Sequence, residues 1–395
     1  MRASSCSSSD APAARPRLCI VTTTPLIVDF FLGPHLRALS ARYALSLVYN
    51  GAEGRPAAVE GVDVELIDVP MQREIRPLAD LRAALHLLVE LRRRRIAGVV
   101  AVAPKAGLLG MAAGWLARVP FRCHIFQGEV WATRRGLMRA LLRAADRLTA
   151  RLATDLLVVS RSERDYLIAE RIISASKSRV LAKGSIAGVD TQRFRADADK
   201  RRRVRARFAM PDDALVVVFV GRLKREKGVL DLAAAWNALA GTRPQLHLLF
   251  VGPDEDELEP AIVTNCPPAL RERVHFQPLT GEPEAYLAAA DVFCLPSHRE
   301  GFGCTVIEAG ATGLPALVSR IYGLQDAAVE HETALMHAPG NVAELGAQLA
   351  ALVDDADLRA RLGAAGLARA RDSFDAQRVV DAYVAYFDDR MQVRA

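Results

Sequence analysis

The sequence lacks several features that mark metal-binding, membrane-spanning and nucleic-acid-binding proteins. Its six cysteines are scattered, with no Cys-x-x-Cys pair and no spacing to histidine that is typical of zinc sites. No stretch reaches about 18 uninterrupted apolar residues, the approximate minimum for a membrane-spanning helix. Aromatic residues make up only 6% of the chain and do not alternate with basic ones. We therefore expect a cytoplasmic protein without a structural metal, a membrane span or a nucleic-acid partner.

Length and charge favour two domains with different partners. A chain of 395 residues with 51% hydrophobic content can bury more than one core. The net charge of +6 is uneven, because residues 1–190 carry +11 and the remainder carries −5. Residues 1–16 are rich in Ser, Ala and Pro and lack the apolar run of a secretory signal, so they are predicted to form a disordered tail.

Short apolar runs alternate with helical patterns from residue 18 onward, which is typical of βαβ units on parallel sheets. A charged segment at residues 188–213 breaks this alternation before a new buried run begins at Leu215. We therefore predict an α/β protein with two Rossmann-like domains and a ligand cleft between them. The predicted bounds are residues 17–190 and 191–374, and residues 375–395 form a final helix that packs on one of the domains.

The stretch HREGFGCTVIEAG, residues 298–310, is the most informative motif. A helix is expected to begin near Gly303 or Cys304, and its exposed amides suit a phosphate or diphosphate group. Glu308 then lies about one turn into the helix, where it can accept hydrogen bonds from two ribose hydroxyls. Glu300, before the turn, can do the same for a sugar. The motif indicates a nucleotide-sugar site, although a lone glutamate here would usually be a surface capping residue.

A second motif, VVVFVGRLKREKGVLDLAAAW, places Arg222 after a strand and Lys227 before the next helix. Arg offers a planar fork for phosphate oxygens and Lys a mobile point charge. Each cation alone would more often be a solvated loop charge. Together with the glutamate motif, they are expected to neutralise a diphosphate leaving group without a metal ion.

The stretches GRLKREKG and DVFCLPSHREGFGCTVIEAGATGLPALVS resemble the donor domain of the family 4 glycosyltransferases, retaining enzymes of GT-B architecture. The similarity covers most of the chain after the tail and is most specific from Val216 to about Glu332. In the first half, VTTTPLIVDFFLGPHLRAL and QGEVWATRRG resemble the branch that builds bacterial surface polysaccharides, namely capsule, exopolysaccharide and O-antigen.

The resemblance implies a role for each motif residue. Glu300 would face the donor sugar, Glu308 would bind the ribose, and Arg222 and Lys227 would hold the diphosphate and stabilise the transition state. The donor would be a nucleotide sugar, expected to be a UDP-sugar, and the acceptor a lipid-linked saccharide, with no metal or other cofactor. Further contacts are implied for the backbone of Gly301, Phe302, Gly303 and Cys304, and for Pro278 and Leu279 beside the base.

The acceptor side departs from the family pattern. Many relatives carry a Gly-Gly turn in the first loop, where this chain has Thr24 and its neighbours, and a histidine at the position of Gln127. Glutamine cannot accept a proton at neutral pH. His124 could replace it, although a histidine in a strand is more often a core residue. The mechanism usually proposed for the family needs no protein base, because an oxygen of the departing diphosphate can take the acceptor's proton.

A basic stripe is predicted on one helix of the first half. On a helix, such a stripe indicates an anionic lipid surface, and the ordinary alternative is a solvated face of a packed helix. The run at 92–95 adds to the positive charge. The stripe consists of Arg135, Arg139, Arg143, Arg147 and Arg151.

The leading hypothesis is a retaining glycosyltransferase that transfers a hexose or N-acetylhexosamine to a lipid-linked saccharide in surface polysaccharide synthesis, on the inner face of the membrane. Two alternatives remain. One keeps the fold and changes the chemistry to sugar-nucleotide epimerisation or phosphorolysis. The other is a non-catalytic nucleotide-sugar-binding partner of a glycan synthase complex.

Overall fold

Two parallel sheets organise the chain in the computed structural model, which describes residues 15–72 and 74–394. All strand pairs within the two sheets are parallel. The prediction of an α/β protein with two Rossmann-like domains is therefore confirmed. The predicted disordered tail lies outside the described residues, apart from its last two positions.

The first sheet has seven strands. They are β1 (Arg17–Val21), β2 (Ala44–Tyr49), β3 (Val64–Asp68), β4 (Gly98–Val102), β5 (Phe121–Phe126), β6 (Asp155–Val158) and β7 (Ser178–Arg179). Their order across the sheet is β3-β2-β1-β4-β5-β6-β7. Strand β4 is buried along its whole length, because helices cover both faces of the sheet. The order reverses between β1 and β4, which opens a crevice at their carboxyl ends.

Helices connect these strands. They are α1 (Pro25–Ile27), which continues through a π-helical turn (Val28–Leu32) into α2 (Gly33–Ser40), then α3 (Pro77–Arg93), α4 (Pro104–Leu116), α5 (Gly136–Leu152) and α6 (Arg161–Ala169). Helices α3 and α4 begin with proline, whose fixed φ suits a first helical turn. Ser160 caps α6, because its Oγ accepts the Glu163 N–H at 3.1 Å.

The second sheet has six strands. They are β8 (Leu215–Val220), β9 (Leu246–Val251), β10 (Val274–Gln277), β11 (Val292–Leu295), β12 (Ala316–Ser319) and β13 (Ala334–His337). Their order is β10-β9-β8-β11-β12-β13, with the reversal between β8 and β11. The run LVVVFV of β8 is entirely buried, as expected of a central parallel strand. The motifs that follow β8 and β11 therefore lie at the switch point.

The second half carries nine helices within the described residues. They are α7 (Ala198–Arg207), α8 (Val229–Ala240), α9 (Glu259–Asn265), α10 (Pro283–Ala289), α11 (Cys304–Ala311), α12 (Leu324–Ala327), α13 (Val342–Asp354), α14 (Ala356–Phe374) and α15 (Ala376–Arg394). The charged segment before β8 contains α7. Arg201 and Arg205 of this helix bind the Asp291 carboxylate at 2.7 and 2.8 Å, which fixes the segment to the second sheet.

The chain crosses between the sheets twice, and the two crossings are paired. The Val189 N–H donates to the Phe374 carbonyl at 2.7 Å, and the Ala376 N–H donates to the Val189 carbonyl at 3.0 Å. Helix α15 then returns to the first sheet and packs on α2 and β5. The Tyr43 hydroxyl donates to Asp388 of α15 at 2.6 Å. The last helix is therefore part of the first domain's core.

Truncating Phe387, in the buried face of α15, is expected to destabilise the first domain. Its ring is 2% exposed and lies 6.1 Å from that of Phe121. Removing such a ring leaves a cavity, so Phe387→Ala is expected to cost about 3–5 kcal/mol. Thermal unfolding followed by circular dichroism measures the effect. Val393→Ala, at a position 70% exposed on the same helix, is the control and should melt with the wild type. An unchanged melting temperature for Phe387→Ala would contradict this packing.

Candidate active site

The loops that follow β8 and β11 meet at the switch point of the second sheet. Gly228 has φ +69°, and a Cβ at this position would overlap the carbonyl oxygen of Pro296. Only glycine lets the two loops approach so closely. The His298 N–H also donates to the Glu226 carbonyl at 2.9 Å. The two sequence motifs therefore form one site.

An ion pair joins the motifs at the centre of this site. Lys227 Nζ lies 2.5 Å from Glu300 Oε1, and Ser297 Oγ donates to the same oxygen at 2.9 Å. The two charged side chains are only 16% and 12% exposed. Arg299, the neighbour of Glu300, pairs with Glu226 at 2.7 Å. Lys227 thus compensates the Glu300 carboxylate in a crevice with little access to water.

Arg222, the second predicted diphosphate ligand, has a different partner. Its Nη1 donates to Glu255 Oε2 at 3.1 Å, and Lys224 Nζ lies 3.1 Å from the same oxygen. The Arg222 side chain is 42% exposed. The two predicted cations therefore lie in separate ion pairs, and a diphosphate that contacts both has to compete with two carboxylates.

The Gly-Phe-Gly turn leads directly into α11. Gly303 has φ +84°, where a Cβ would overlap the Leu324 side chain, and α11 begins at Cys304. Phe302 is buried, and its ring lies 5.2 Å from that of Phe374 near the chain crossing. Burial raises the pKa of the Cys304 thiol to about 12, so the thiol stays neutral. The turn thus presents backbone, not a reactive side chain, to the cleft.

Glu308 lies on α11, one turn from the helix start. Burial raises its pKa to about 7, while the charge of Arg193 lowers it. Pro278 and Leu279 directly follow β10 and are exposed, Leu279 by 50%. Pro278 and Leu279, predicted to lie beside the base, thus follow the carboxyl end of β10. Glu308, the predicted ribose ligand, lies on the helix that follows β11.

The loop after β5, which holds Gln127 and Gly128 and is the predicted acceptor loop, contacts the Gly301–Gly303 turn of the second domain. A Cβ on Gly301 would lie 2.5 Å from the Gln127 carbonyl carbon and 2.7 Å from the Gly128 nitrogen. Gly128 itself has φ +93°. The Gln127 Nε2 is buried and has no hydrogen-bond partner in the part of the chain that the structure describes. Glycine on both sides therefore lets the two domains meet backbone to backbone next to Glu300.

Thr24 and His124 are less available than expected. Thr24 is 1% exposed, and its Oγ1 accepts the Leu26 N–H at 3.3 Å at the start of α1. The His124 ring is sealed between β5 and α4, and its Nδ1 lies 3.1 Å from the Ala101 carbonyl oxygen. Burial lowers the pKa of His124 to about 4. The assignment of His124 to the acceptor side is therefore corrected, because its ring belongs to the core.

Sequence reasoning missed a contact between the domains made by Asp326 of α12. Its carboxylate accepts the N–H groups of Arg161 and Ser162 at 3.2 and 2.9 Å. The Gly323 N–H donates to Ser162 Oγ at 2.7 Å. Asp326 thus caps α6 from the other domain and lies at the positive end of that helix. A partner this distant along the chain leaves no local signal in the sequence.

A stack of aromatic rings lies beside this cap. The Tyr322 ring stacks on Tyr166 at 4.4 Å, and Tyr166 stacks on Trp131 at 5.5 Å. Tyr322 belongs to the segment that follows β12, whereas Tyr166 and Trp131 belong to the first domain. The stack therefore crosses the domain boundary.

The predicted basic stripe on α5 does not face outward as a unit. Arg139 and Arg143 both pair with Glu170, and their guanidinium groups lie 5.7 and 5.3 Å from the Trp131 ring centre. Arg147 donates to the carbonyl of Glu170 at 3.3 Å. The middle of the stripe therefore holds α5 against the end of α6, while Arg135, Arg147 and Arg151 are exposed.

Two further expectations concern metals and membranes. Over residues 15–72 and 74–394, no group of three or more His, Cys, Asp and Glu side chains is placed to hold a metal ion. In the same residues, no helix combines the length and apolar character needed to cross a membrane.

Known glycosyltransferases match both halves of the chain. The family model "Glycosyl transferase 4-like domain" matches residues 32–184, and "Glycosyl transferases group 1" matches residues 200–369. The capsular polysaccharide biosynthesis glycosyltransferase CapM of Staphylococcus aureus is 26% identical over 314 residues, which cover 78% of this chain and 81% of CapM. The lipopolysaccharide core biosynthesis glycosyltransferase LpsD of Rhizobium meliloti is 34% identical over 184 residues, 47% of this chain and 52% of LpsD.

Solved structures share the whole architecture. Anabaena HepE in complex with UDP and glucose superposes with a TM-score of 0.79 at 18% identity, over 95% of this chain and 100% of HepE. The sucrose-phosphate synthase of Thermosynechococcus elongatus gives a TM-score of 0.80 at 20% identity, over 96% and 100% of the two chains. At these identities the likeness concerns the fold. Two parallel-sheet domains, the family matches and the curated relatives together identify the chain as a glycosyltransferase with the GT-B fold.

Proposed function

We propose that this glycosyltransferase moves a hexose or N-acetylhexosamine, with retention of configuration, from a UDP-sugar to a lipid-linked saccharide during surface polysaccharide synthesis. The observation that carries the proposal is the Lys227–Glu300 ion pair, 2.5 Å long, at the switch point beside the start of α11. The roles of CapM in capsular polysaccharide synthesis and of LpsD in lipopolysaccharide core synthesis support the pathway. The UDP and glucose bound by HepE support the donor class.

Each residue then has a chemical task. Glu300 accepts hydrogen bonds from the donor sugar and Glu308 from the ribose hydroxyls. Lys227 and Arg222 neutralise the negative charge that develops on the diphosphate as the glycosidic bond breaks. The amides of the Gly301 turn and the α11 start add partial positive charge. The acceptor hydroxyl forms the new bond on the face that the diphosphate leaves, and its proton passes to a diphosphate oxygen.

This route matches the side chains at the acceptor loop. Gln127 cannot take a proton, and the His124 ring is buried in the core with its pKa lowered to about 4. The first domain therefore supplies no histidine base beside Gly128. Catalysis rests on position and charge, with the fixed ion pair already oriented before the donor binds.

We also propose that the donor binds without a metal ion, because two cations of the protein contact the diphosphate. Arg222 can exchange the Glu255 carboxylate for a diphosphate oxygen without moving to another loop. Lys227 can bridge Glu300 and the diphosphate, since an ammonium group has three donors.

Replacing Glu300 with glutamine is expected to abolish transfer and leave UDP binding nearly intact. The neutral amide keeps the size of the side chain but loses the charge that complements the sugar's positive transition state, a loss of about 10²-fold or more. Transfer is measured with radiolabelled UDP-glucose, UDP-galactose and UDP-N-acetylglucosamine and a lipid extract of bacterial membranes.

Glu272→Gln, at an exposed position of the same domain, serves as the matched control and should behave as the wild type. Near wild-type transfer by Glu300→Gln would refute the assignment. An epimerised nucleotide sugar formed without acceptor would favour the epimerase alternative, and UDP binding without turnover the non-catalytic one.

We further propose that the first domain docks on anionic membrane through an apolar surface, with the exposed arginines at its rim. Helix α4 contacts both α3 and α5, so the exposed side chains of the three helices lie on one side of the domain. Such a surface inserts between lipids while the arginines contact headgroups. The apolar surface consists of Leu78, Leu81, Leu85, Val89, Trp115, Leu116, Leu137, Met138, Leu141 and Leu148, each at least 47% exposed, and the rim includes Arg82, Arg92, Arg93, Arg118, Arg135 and Arg151.

Placing charge in this apolar surface is expected to weaken membrane binding. The double variant Leu81→Glu and Leu85→Glu alters two positions that are 57% and 52% exposed on α3. Flotation with vesicles that contain phosphatidylglycerol measures the bound fraction. Val263→Glu, at an exposed apolar position of the second domain, is the control and should bind as the wild type does. Equal flotation of the double variant and the wild type would exclude this surface.

A further inference from the structure

Two carboxyl groups are buried together behind the acceptor loop. Glu129, from the loop after β5, is 1% exposed, and Glu163, from the first turn of α6, is 0% exposed. Neither forms an ion pair with a cation among residues 15–72 and 74–394. Two carboxylates in such surroundings cannot both be ionised at moderate cost, because desolvation and mutual repulsion both oppose the second charge.

The pair is attached to the reaction site through one backbone group. The Gly128 N–H donates to Glu163 Oε1, in a buried hydrogen bond. The same Gly128 lies against Gly301, the residue that follows Glu300. Glu163 therefore holds the segment of the first domain that lies against the Gly301–Gly303 turn, which is the proposed donor-sugar turn.

The cluster of Glu129, Glu163 and Tyr322 has more buried hydrogen-bond acceptors than donors. Among the residues that the structure describes, both Glu129 oxygens, Glu163 Oε2 and the Tyr322 hydroxyl are buried without a hydrogen-bond partner of normal geometry. Even so, the three side chains are close enough to affect one another. Burial raises the pKa of Glu129, and burial together with the charge of Glu129 raises that of Glu163. A proton between the two carboxyls satisfies one oxygen of each and leaves a single negative charge.

The surrounding ionisable groups do not supply that missing positive charge. Asp146 of α5 adds negative charge, and burial raises its own pKa to about 6. Arg299 lies against the acceptor loop, with Nη1 3.4 Å from a Cβ built on Gly128, but it is paired with Glu226. The other titratable groups that face the pair are Tyr166, Tyr322 and Tyr383.

We propose that Glu129 and Glu163 share one proton and act as a positioning pair that holds the Gln127–Gly128 backbone against the donor-sugar turn. Neither residue touches the donor in this role. The pair fixes where the acceptor loop lies relative to Glu300. This inference rests on the proposed assignment of Glu300 to the donor sugar.

The shared proton makes loop placement depend on pH. With one proton the carboxyls form a charge-assisted hydrogen bond and Glu163 keeps the Gly128 N–H. When both carboxyls ionise, their repulsion pushes the acceptor loop and α6 apart, and Tyr322 of the other domain loses its contact with the pair. The arrangement in which Glu163 holds the Gly128 N–H is the one that binds the shared proton. It is therefore favoured at low pH and lost as the pH rises through the raised pKa of the pair.

Infrared difference spectroscopy between about pH 6 and pH 9 tests the proton directly, and it needs no substrate. The wild type is expected to lose a protonated-carboxyl band on the alkaline side. Glu163→Gln is expected to lack that component, because the glutamine amide N–H donates to the Glu129 carboxylate in place of the shared proton. Glu308 and Asp146 also contribute such bands, and subtraction of the variant's spectrum from that of the wild type removes them. Identical spectra would overturn the shared proton.

Transfer kinetics with the lipid extract test the positioning role. Glu163→Gln keeps an oxygen for the Gly128 N–H, so it should retain activity at pH 6.5 within about twofold and lose the alkaline decline. Glu163→Ala removes that acceptor, and a loop displaced by about 1 Å is expected to lower kcat/KM for the acceptor about 10²-fold. UDP binding by calorimetry should be unchanged in both variants.

The outcomes distinguish a failure of the Glu129–Glu163 proposal from a failure of the proposed function. Wild-type transfer and pH dependence in Glu163→Ala would overturn the positioning role. Failure of wild-type protein to bind UDP or transfer sugar would count against the proposed function, and the infrared result would still decide the shared proton. If Glu163→Ala does not fold, the pH profile of Glu163→Gln decides, since a purely structural carboxyl predicts the same alkaline decline as the wild type.

Discussion

The ion pair between Lys227 and Glu300 links the two loops on which the rest of the site depends. It forms because β8 and β11 are neighbours at the point where strand order reverses, and because Gly228 lets one loop lie directly on Pro296. Lys227 compensates the charge of the carboxylate in a partly buried crevice, and the carboxylate orients Lys227. The start of α11, Glu308 and the Arg222 loop are arranged around this pair.

A second constraint on the site is that the two domains contact each other through glycine residues. Gly128 and Gly301 allow backbone contact next to Glu300, and a side chain on either would separate the loops. Asp326 caps α6 across the same boundary, and the pairing of Val189 with the 374–376 segment fixes where the chain crosses. Backbone groups and side chains of both domains therefore take part in the contact between them.

Local patterns explain which features the sequence could predict. Buried apolar runs such as LVVVFV, and the glycine and glutamate spacing around Glu300, depend on residues near one another in the chain. The partners of Arg222, Arg139 and Glu163 do not: Glu255, Glu170 and the Gly128 N–H come from other elements. A helical stripe of arginine looks the same whether it faces lipid or a neighbouring helix. His124 was ambiguous for the same reason, because a strand pattern does not say which face a helix covers.

In the proposed mechanism, two protein cations bind a nucleoside diphosphate at the switch point. Calorimetric titration with UDP, and in parallel with GDP, in the presence of EDTA tests it most directly. We expect UDP to bind without metal and more tightly than GDP. Lys227→Ala should weaken UDP binding at least about tenfold, the loss expected for one charge-assisted hydrogen bond. UDP binding that appears only with added Mg²⁺, or that is unaffected by Lys227→Ala, would contradict it.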